Sequence, residues 1–140
     1  MVKLIKYKNN IFAYIIKISN KNGVNFCTPK DITQQVGILN HKKGHIINPH
    51  IHFKNPRKII YTTEVLIILE GKVRVDFFDK QKKYLFSKIL NKNKIIIFID
   101  GGHGFEIIQN AKIIEVKQGP YNEVKDKIIF SSKIKKKIIK

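Results

Sequence analysis

Short apolar runs, each closed by Asn, Gly, Asp or Lys, recur along most of this chain, and none of them keeps a helical period for ten residues or more. Runs of this length, rich in Ile, Val and Phe, predict strands at 12–18, 37–40, 45–53, 64–70, 72–78, 84–90, 94–99, 104–108 and 111–117. The stretch Lys72-Val73-Arg74-Val75-Asp76-Phe77 alternates polar with apolar, the mark of a strand with one buried face. Gly71 is expected to be the turn that joins it to the preceding strand. Asn55-Pro56 breaks the chain between the runs 45–53 and 64–70. Many short strands at near-regular spacing define an all-β fold, a sandwich or a barrel.

Length and composition fit one core. A chain of 140 residues with 43% hydrophobic content is long enough for a single domain and short for two. The reading is one domain over 1–130, with an N-terminal strand extension, and a basic tail over 131–140. Cys27 is the only cysteine, which excludes an internal disulfide and makes a reducing, cytoplasmic setting the expectation. The early run from Ile11 to Ile16 is cut by Lys17 and reads as a strand, not as a signal peptide. No apolar run approaches the roughly 20 residues of a membrane helix, so no membrane partner is expected.

Charge raises a rival. The chain carries 28 Lys and Arg against 10 Asp and Glu, a formal net charge of +18, and such a surface attracts polyanions. Yet arginine occurs only at 57 and 74, and the remaining cations are lysines scattered among isoleucines and asparagines, as A- and T-rich codons would produce. Aromatic residues are not interleaved with the basic ones for stacking bases, and nucleic acid is not expected as the main partner.

The candidate chemistry lies in His50-Ile51-His52, Glu64 and His103. Residues two apart on a strand share a face, so His50 and His52 aim two imidazoles into one cavity. Glu64 heads an apolar strand, where an unpaired carboxylate would cost several kcal/mol to bury, on the order of other polar burial. A metal or a cationic partner removes that cost. Gly101-Gly102 lets the backbone bring His103 close from a third strand. Three imidazoles and one carboxylate suit a divalent transition metal such as Zn, Fe, Mn or Ni. The plainer reading makes the histidines surface residues and the glycines ordinary turns. Arg57, in the loop before Glu64, is a candidate for binding an anionic ligand through its planar fork, and Tyr61 for a polar group in the cavity. His41 and His45 read as rim residues, and Cys27 as an incidental thiol.

The ordered set Gly44, five residues, His50, His52, eleven residues, Glu64, six residues, Gly71 resembles the first motif of the cupin superfamily. Ile99-Asp100-Gly101-Gly102-His103-Gly104-Phe105 is similar to its second motif without the proline. Together with Glu115 to Gln118, Gly119-Pro120-Tyr121 and Asp126-Lys127, this stretch resembles small bacterial cupins encoded beside genes for surface polysaccharides and nonulosonic acids. The resemblance implies a double-stranded β-helix, the cupin jelly-roll barrel, and one divalent metal held by His50, His52, Glu64 and His103. It implies action on a small anionic sugar or sugar nucleotide in surface-polysaccharide biosynthesis, with catalytic residues unassigned. Two alternatives accompany it: a non-catalytic cupin that holds a small ligand, and a metal-free sugar-nucleotide epimerase or isomerase with a histidine base and a tyrosine acid. Cupins commonly form two-fold dimers, and the apolar runs 12–18 and 128–130 suggest a homodimer. Gly119-Pro120 is expected to end the last strand, with Tyr121 folding back over the cavity.

Overall fold

Among the described residues of the computed structural model, which leaves out 121, 123, 124, 135, 136, 139 and 140, there are eight strands and no helix. They are β1 Val2–Tyr7, β2 Asn10–Lys17, β3 Gly23–Phe26, β4 Gly37–Asn40, β5 Glu64–Phe78, β6 Tyr84–Asn91, β7 Lys94–Phe98 and β8 Gly102–Lys117. Among these described residues no helix is therefore long and apolar enough to cross a membrane. Six of the strands form one antiparallel sheet in the order β1-β2-β7-β5-β6, with β8 on β5, and β3 pairs with β4 apart from it.

The sheet is strongly curled because its longest strands fold over one crease. Residues 64–68 of β5 pair with β7 and residues 72–78 with β6, so β6 and β7 lie end to end along one side of β5. Strand β8 runs along the other side for the whole length, with register shifts between Ile68 and Val73. At that line Gly71 has φ +80°, and a Cβ there would overlap the carbonyl oxygen of Asn110 on β8. Only glycine allows both the left-handed backbone and the close approach. Asn93, between β6 and β7, also has positive φ (63°) and donates its N–H to the Ile68 carbonyl at 3.0 Å. Turn, bulge and left-handed residue thus fall on one line, and the sheet bends there.

The alternation of buried side chains changes phase at the crease. Leu66 and Ile68 face the core before it, Val73, Val75 and Phe77 after it, so a strict period of two would have put one set outside. The irregularity turns both limbs of β5 toward each other. Phe77 meets Phe98 of β7 and Phe12 of β2 across the fold, with ring centroids 6.2 and 6.3 Å apart. Ile15, Phe86, Leu90 and Ile96 complete this core. A second cluster on the outer face of β2, β5 and β7 packs Ile16, Val65 and Ile97 against Cys27, Ile32 and Val36. The result is an all-β, antiparallel half-barrel, compatible with a jelly roll.

Several expected elements need correction. The runs 64–70 and 72–78 are one strand, as are 104–108 and 111–117, because Gly71 and Asn110 bend the ladder without ending it. Residues 45–53 form no strand; the segment 41–63 is irregular and Ile51 and Phe53 are 89% and 92% exposed. Strand β1 lies before the first predicted run, because only Ile5 of it is buried and its hairpin to β2 turns through Lys8 at φ 53°, without the Asn-Gly or Asp-Gly signal of such turns. Strand β3 is four residues long and half polar, too short for a periodic signal.

Candidate functional site at the mouth of the half-barrel

Glu64 opens β5 and His103 lies at the start of β8, which pairs with the far end of β5, so in a flat ribbon the two would sit at opposite ends. Folding at the crease brings those ends together. His103 Nε2 donates to Glu64 Oε2 at 2.9 Å, linking residues 39 apart in sequence. The imidazole lies flat on Phe98, at 4.0 Å between centroids and 17° between planes. Phe98 is also the register partner of Glu64, so one aromatic side chain fixes the histidine beside the carboxylate's own strand.

The carboxylate is held from its other side as well. Lys117, which faces Glu64 across the β5–β8 ladder, places Nζ at 3.9 Å from Glu64 Oε1 and at 3.4 Å from Glu115 Oε1. The hydrogen bond from His103 holds the Glu64 carboxyl below its ordinary range; burial opposes this, and the charges of His103, Lys117 and Lys127 assist. Thr63, buried immediately before Glu64, fixes the entry into the strand. Its N–H donates to Gln118 Oε1 at 2.8 Å, its hydroxyl donates to Gln34 Oε1 at 2.6 Å, and it accepts from Gln118 Nε2 at 2.7 Å. On the other side Gly101, at φ +78°, lies so close to the Phe12 ring that a Cβ would overlap it. The close approach at these glycines is thus made to Phe12, beside His103.

A cavity of about 820 Å³ opens at this mouth, wrapping the end of β8 and bordered by residues 127–134. Of the ten acidic residues in the chain, Glu64, Asp76, Glu115 and Asp126 line it, against Lys117 and Lys127 among 28 basic ones. The cavity therefore carries the opposite bias from the surface. A smaller cavity of about 440 Å³ shares His103 and includes Tyr61, Phe98 and Asp100. Tyr61 is mostly exposed, with Lys80 Nζ 5.9 Å from its ring centroid.

Of the residues expected to bind metal, Glu64 and His103 meet at this mouth and His50 and His52 do not join them. The two histidines form a pair of their own in the irregular segment, exposed, with ring centroids 5.0 Å apart, and His50 Nδ1 donates to the Asn48 carbonyl at 3.0 Å. Among the described residues no three or more His, Cys, Asp or Glu side chains converge as metal ligands would. As placed, then, the four do not fit one ion: Glu64 is partnered by His103 and Lys117. Arg57 is exposed in the same segment and lines neither cavity. His41 and His45 stack on each other at 4.0 Å, in the same irregular stretch and away from the pair at the mouth. Tyr121 lies outside the described residues. Nothing in the sequence marks Phe98, Lys117 or Gln118 as neighbours of Glu64, because pairing across the sheet brings them there, and Thr63, though next to Glu64, is fixed by Gln34 and Gln118 from far along the chain.

No protein-family model matches the chain, and no curated protein or solved structure matches it.

Proposed function

We propose that this chain is a cupin-like protein that binds a small sugar or sugar nucleotide at the mouth of its half-barrel, with Glu64 and His103 as an acid–base pair. The observation that supports this is the 2.9 Å hydrogen bond between the two side chains on the wall of a cavity large enough for such a ligand. A carboxylate on one imidazole nitrogen sets the tautomer and leaves the other nitrogen to exchange a proton with a ligand. Tyr61, which borders the adjoining cavity with His103, is the candidate for the opposite proton transfer, as in a metal-free epimerase or isomerase. The walls present carboxylate acceptors and ammonium donors together, which suits a ligand with many hydroxyls, and Lys117 and Lys127 are the cations that an anionic group would meet. Arg57 enters only if the irregular segment moves.

A thermal-shift panel of nucleotide sugars, acidic sugars and simple polyanions at about 0.15 M salt, where surface charge is screened over about 8 Å, tests this reading. At least one sugar should stabilise the protein more than heparin or DNA does, and Glu64→Gln should remove that stabilisation. If the polyanions act more strongly than every sugar, the basic surface is the binding site and the proposal fails.

The motif spacing favours a second reading, in which one divalent metal is held by His50, His52, Glu64 and His103. It requires residues 45–53 to leave their present course and dock at the mouth. Elemental analysis of protein purified without a polyhistidine tag or added metal decides it. One equivalent of metal, lost in the His50→Ala, His52→Ala double variant, would establish this reading over the first.

A further inference from the structure

The cavity wraps the end of β8 and so has two ends, on the two faces of the sheet. Val75 and Phe77 face the core, which puts Asp76 and Phe78 on the outer face with their register partners Gly104 and Gly102. These four line the outer end, whereas His103 and Phe105, on the inner face, belong to the mouth. The roof of the outer end is not a strand of the sheet: residues 127–132 and 134 form it.

Floor and roof are held very differently. In the floor Arg74, Asp76 and Ser87 are buried: the guanidinium makes two hydrogen bonds to the Asp76 carboxylate, Ser87 Oγ donates to the same carboxylate, and Glu106 meets Arg74 from β8. Parting these groups would leave buried charges without partners, so the floor resists opening. The roof has two attachments. The Phe130 ring stands edge-on to Phe78 at 5.2 Å, over Gly102, where a Cβ would stand 3.3 Å from it. Further on, the Lys137 carbonyl accepts from the Ser87 N–H at 2.8 Å and from the Tyr84 hydroxyl at 3.3 Å, and Ile138 forms one isolated parallel bridge to Ser87 at the edge of β6. Ile128, Ile129 and Ile138 stay 74%, 87% and 53% exposed, so little apolar burial holds the segment down.

We propose that the segment carrying Phe130 and Lys137 is a strap over the outer end of the cavity, which lifts by releasing its clasp on Ser87 while the sheet beneath stays paired. Lifting it extends the cavity along the outer face toward Ser87 and Tyr84. That the strap thereby sets how large a ligand the site accepts rests on the sugar reading above. The opening itself does not, and its test uses no sugar.

The test joins amide hydrogen exchange of the native protein to iodoacetamide alkylation of Gly104→Cys in a Cys27→Ser background. The Ser87 N–H points away from β5 and is held by the strap, whereas those of Phe86 and Lys88 point into the β5 ladder. Ser87 should therefore exchange at least tenfold faster than Phe86 and Lys88. Gly104→Cys is a mild change, since a Cβ there meets the Phe78 ring at 3.6 Å, and it puts a thiol at the outer end. It should alkylate at least tenfold more slowly than Leu39→Cys, exposed on β4. Tyr84→Phe removes a hydrogen bond from the clasp at a residue that lines neither cavity. It should speed both reactions by one common factor of about two to ten, the net worth of such a bond. If Ser87 exchanges as slowly as its neighbours, the segment is no separate moving part. If Gly104→Cys reacts as fast as Leu39→Cys, the segment covers nothing. If Tyr84→Phe leaves both rates unchanged or changes only one of them, clasp and cover are not one device. Any of these results overturns the proposal.

Discussion

The folded ribbon of β5 and β8 and the irregular segment 41–63 each hold part of one sequence motif, and the structure treats them differently. In the ribbon, Glu64 and His103 are placed by ladder hydrogen bonds, a crease at Gly71 and a buried aromatic at Phe98. In the segment, His50 and His52 keep the two-residue spacing, but no strand surrounds them and they stay exposed. Spacing puts two side chains on one face only where the backbone is extended and paired. The difference separates Glu64 and His103, which the folded sheet brings into contact, from His50 and His52, which it leaves apart.

That comparison breaks first where the ribbon is most densely packed. Phe77 is fully buried and touches rings from both β2 and β7. Phe77→Ala should cost about 3–5 kcal/mol, the range for large aromatics in cores. Urea melts should show a lower midpoint at an unchanged slope.

Gly71→Ala comes next. A left-handed non-glycine residue costs about 1–2 kcal/mol, and the new Cβ must displace Asn110, at about 1–3 kcal/mol for overpacking. A combined loss of about 2–5 kcal/mol is expected. Gly44→Ala is the control: its φ is likewise positive (+85°) but a Cβ there meets nothing within 4 Å, so only the smaller backbone cost should appear.

Glu64→Gln sharpens the account at the site itself. A hydrogen bond to a charged group is worth about 1.5–3 kcal/mol, and the amide retains part of it, so a loss of about 1 kcal/mol at neutral pH is expected. The sign of the pH effect follows from the lowered carboxyl. Its contribution is complete above the ordinary value of 4.5 and is lost as pH falls through the lower value in the folded protein. Acid unfolding curves of wild type and Glu64→Gln should therefore converge toward low pH. A difference that grows as pH falls would contradict the assignment.

The smallest effect belongs to the segment. The His50→Ala, His52→Ala double variant, in exposed irregular chain, should change stability by no more than about 0.5 kcal/mol in metal-free buffer.

These contrasts also explain what the sequence made legible. Strong alternation in Lys72–Phe77 and the apolar runs of β2, β6 and β7 gave the strands of the core, and with them the all-β class. Glu64 and His103 were found as a carboxylate and a histidine on separate strands, and Gly101 as the close approach beside His103. Three things were not legible. The crease at Gly71 looked like a turn, since a glycine between two alternating runs reads the same whether the ladder ends or bends. The run 45–53 has enough Ile and Phe to score as a strand, yet strand formation depends on a neighbour and none of the described residues pairs with it. Lys117 meets Glu64, and Gln118 meets Thr63, only through pairing across the fold.

The most direct test of the central claim is imidazole proton and nitrogen NMR of the native protein, with assignments from single histidine variants. His103 should show a hydrogen-bonded Nε2–H resonance, shifted downfield by its carboxylate partner. That resonance should move back upfield in Glu64→Gln, whose amide oxygen accepts only a weaker hydrogen bond, and stay unchanged in the His50→Ala, His52→Ala double variant. If it is missing from the native protein, or disappears when His50 and His52 are removed, the pair at the mouth is not the self-contained unit described, and the site extends to the irregular segment.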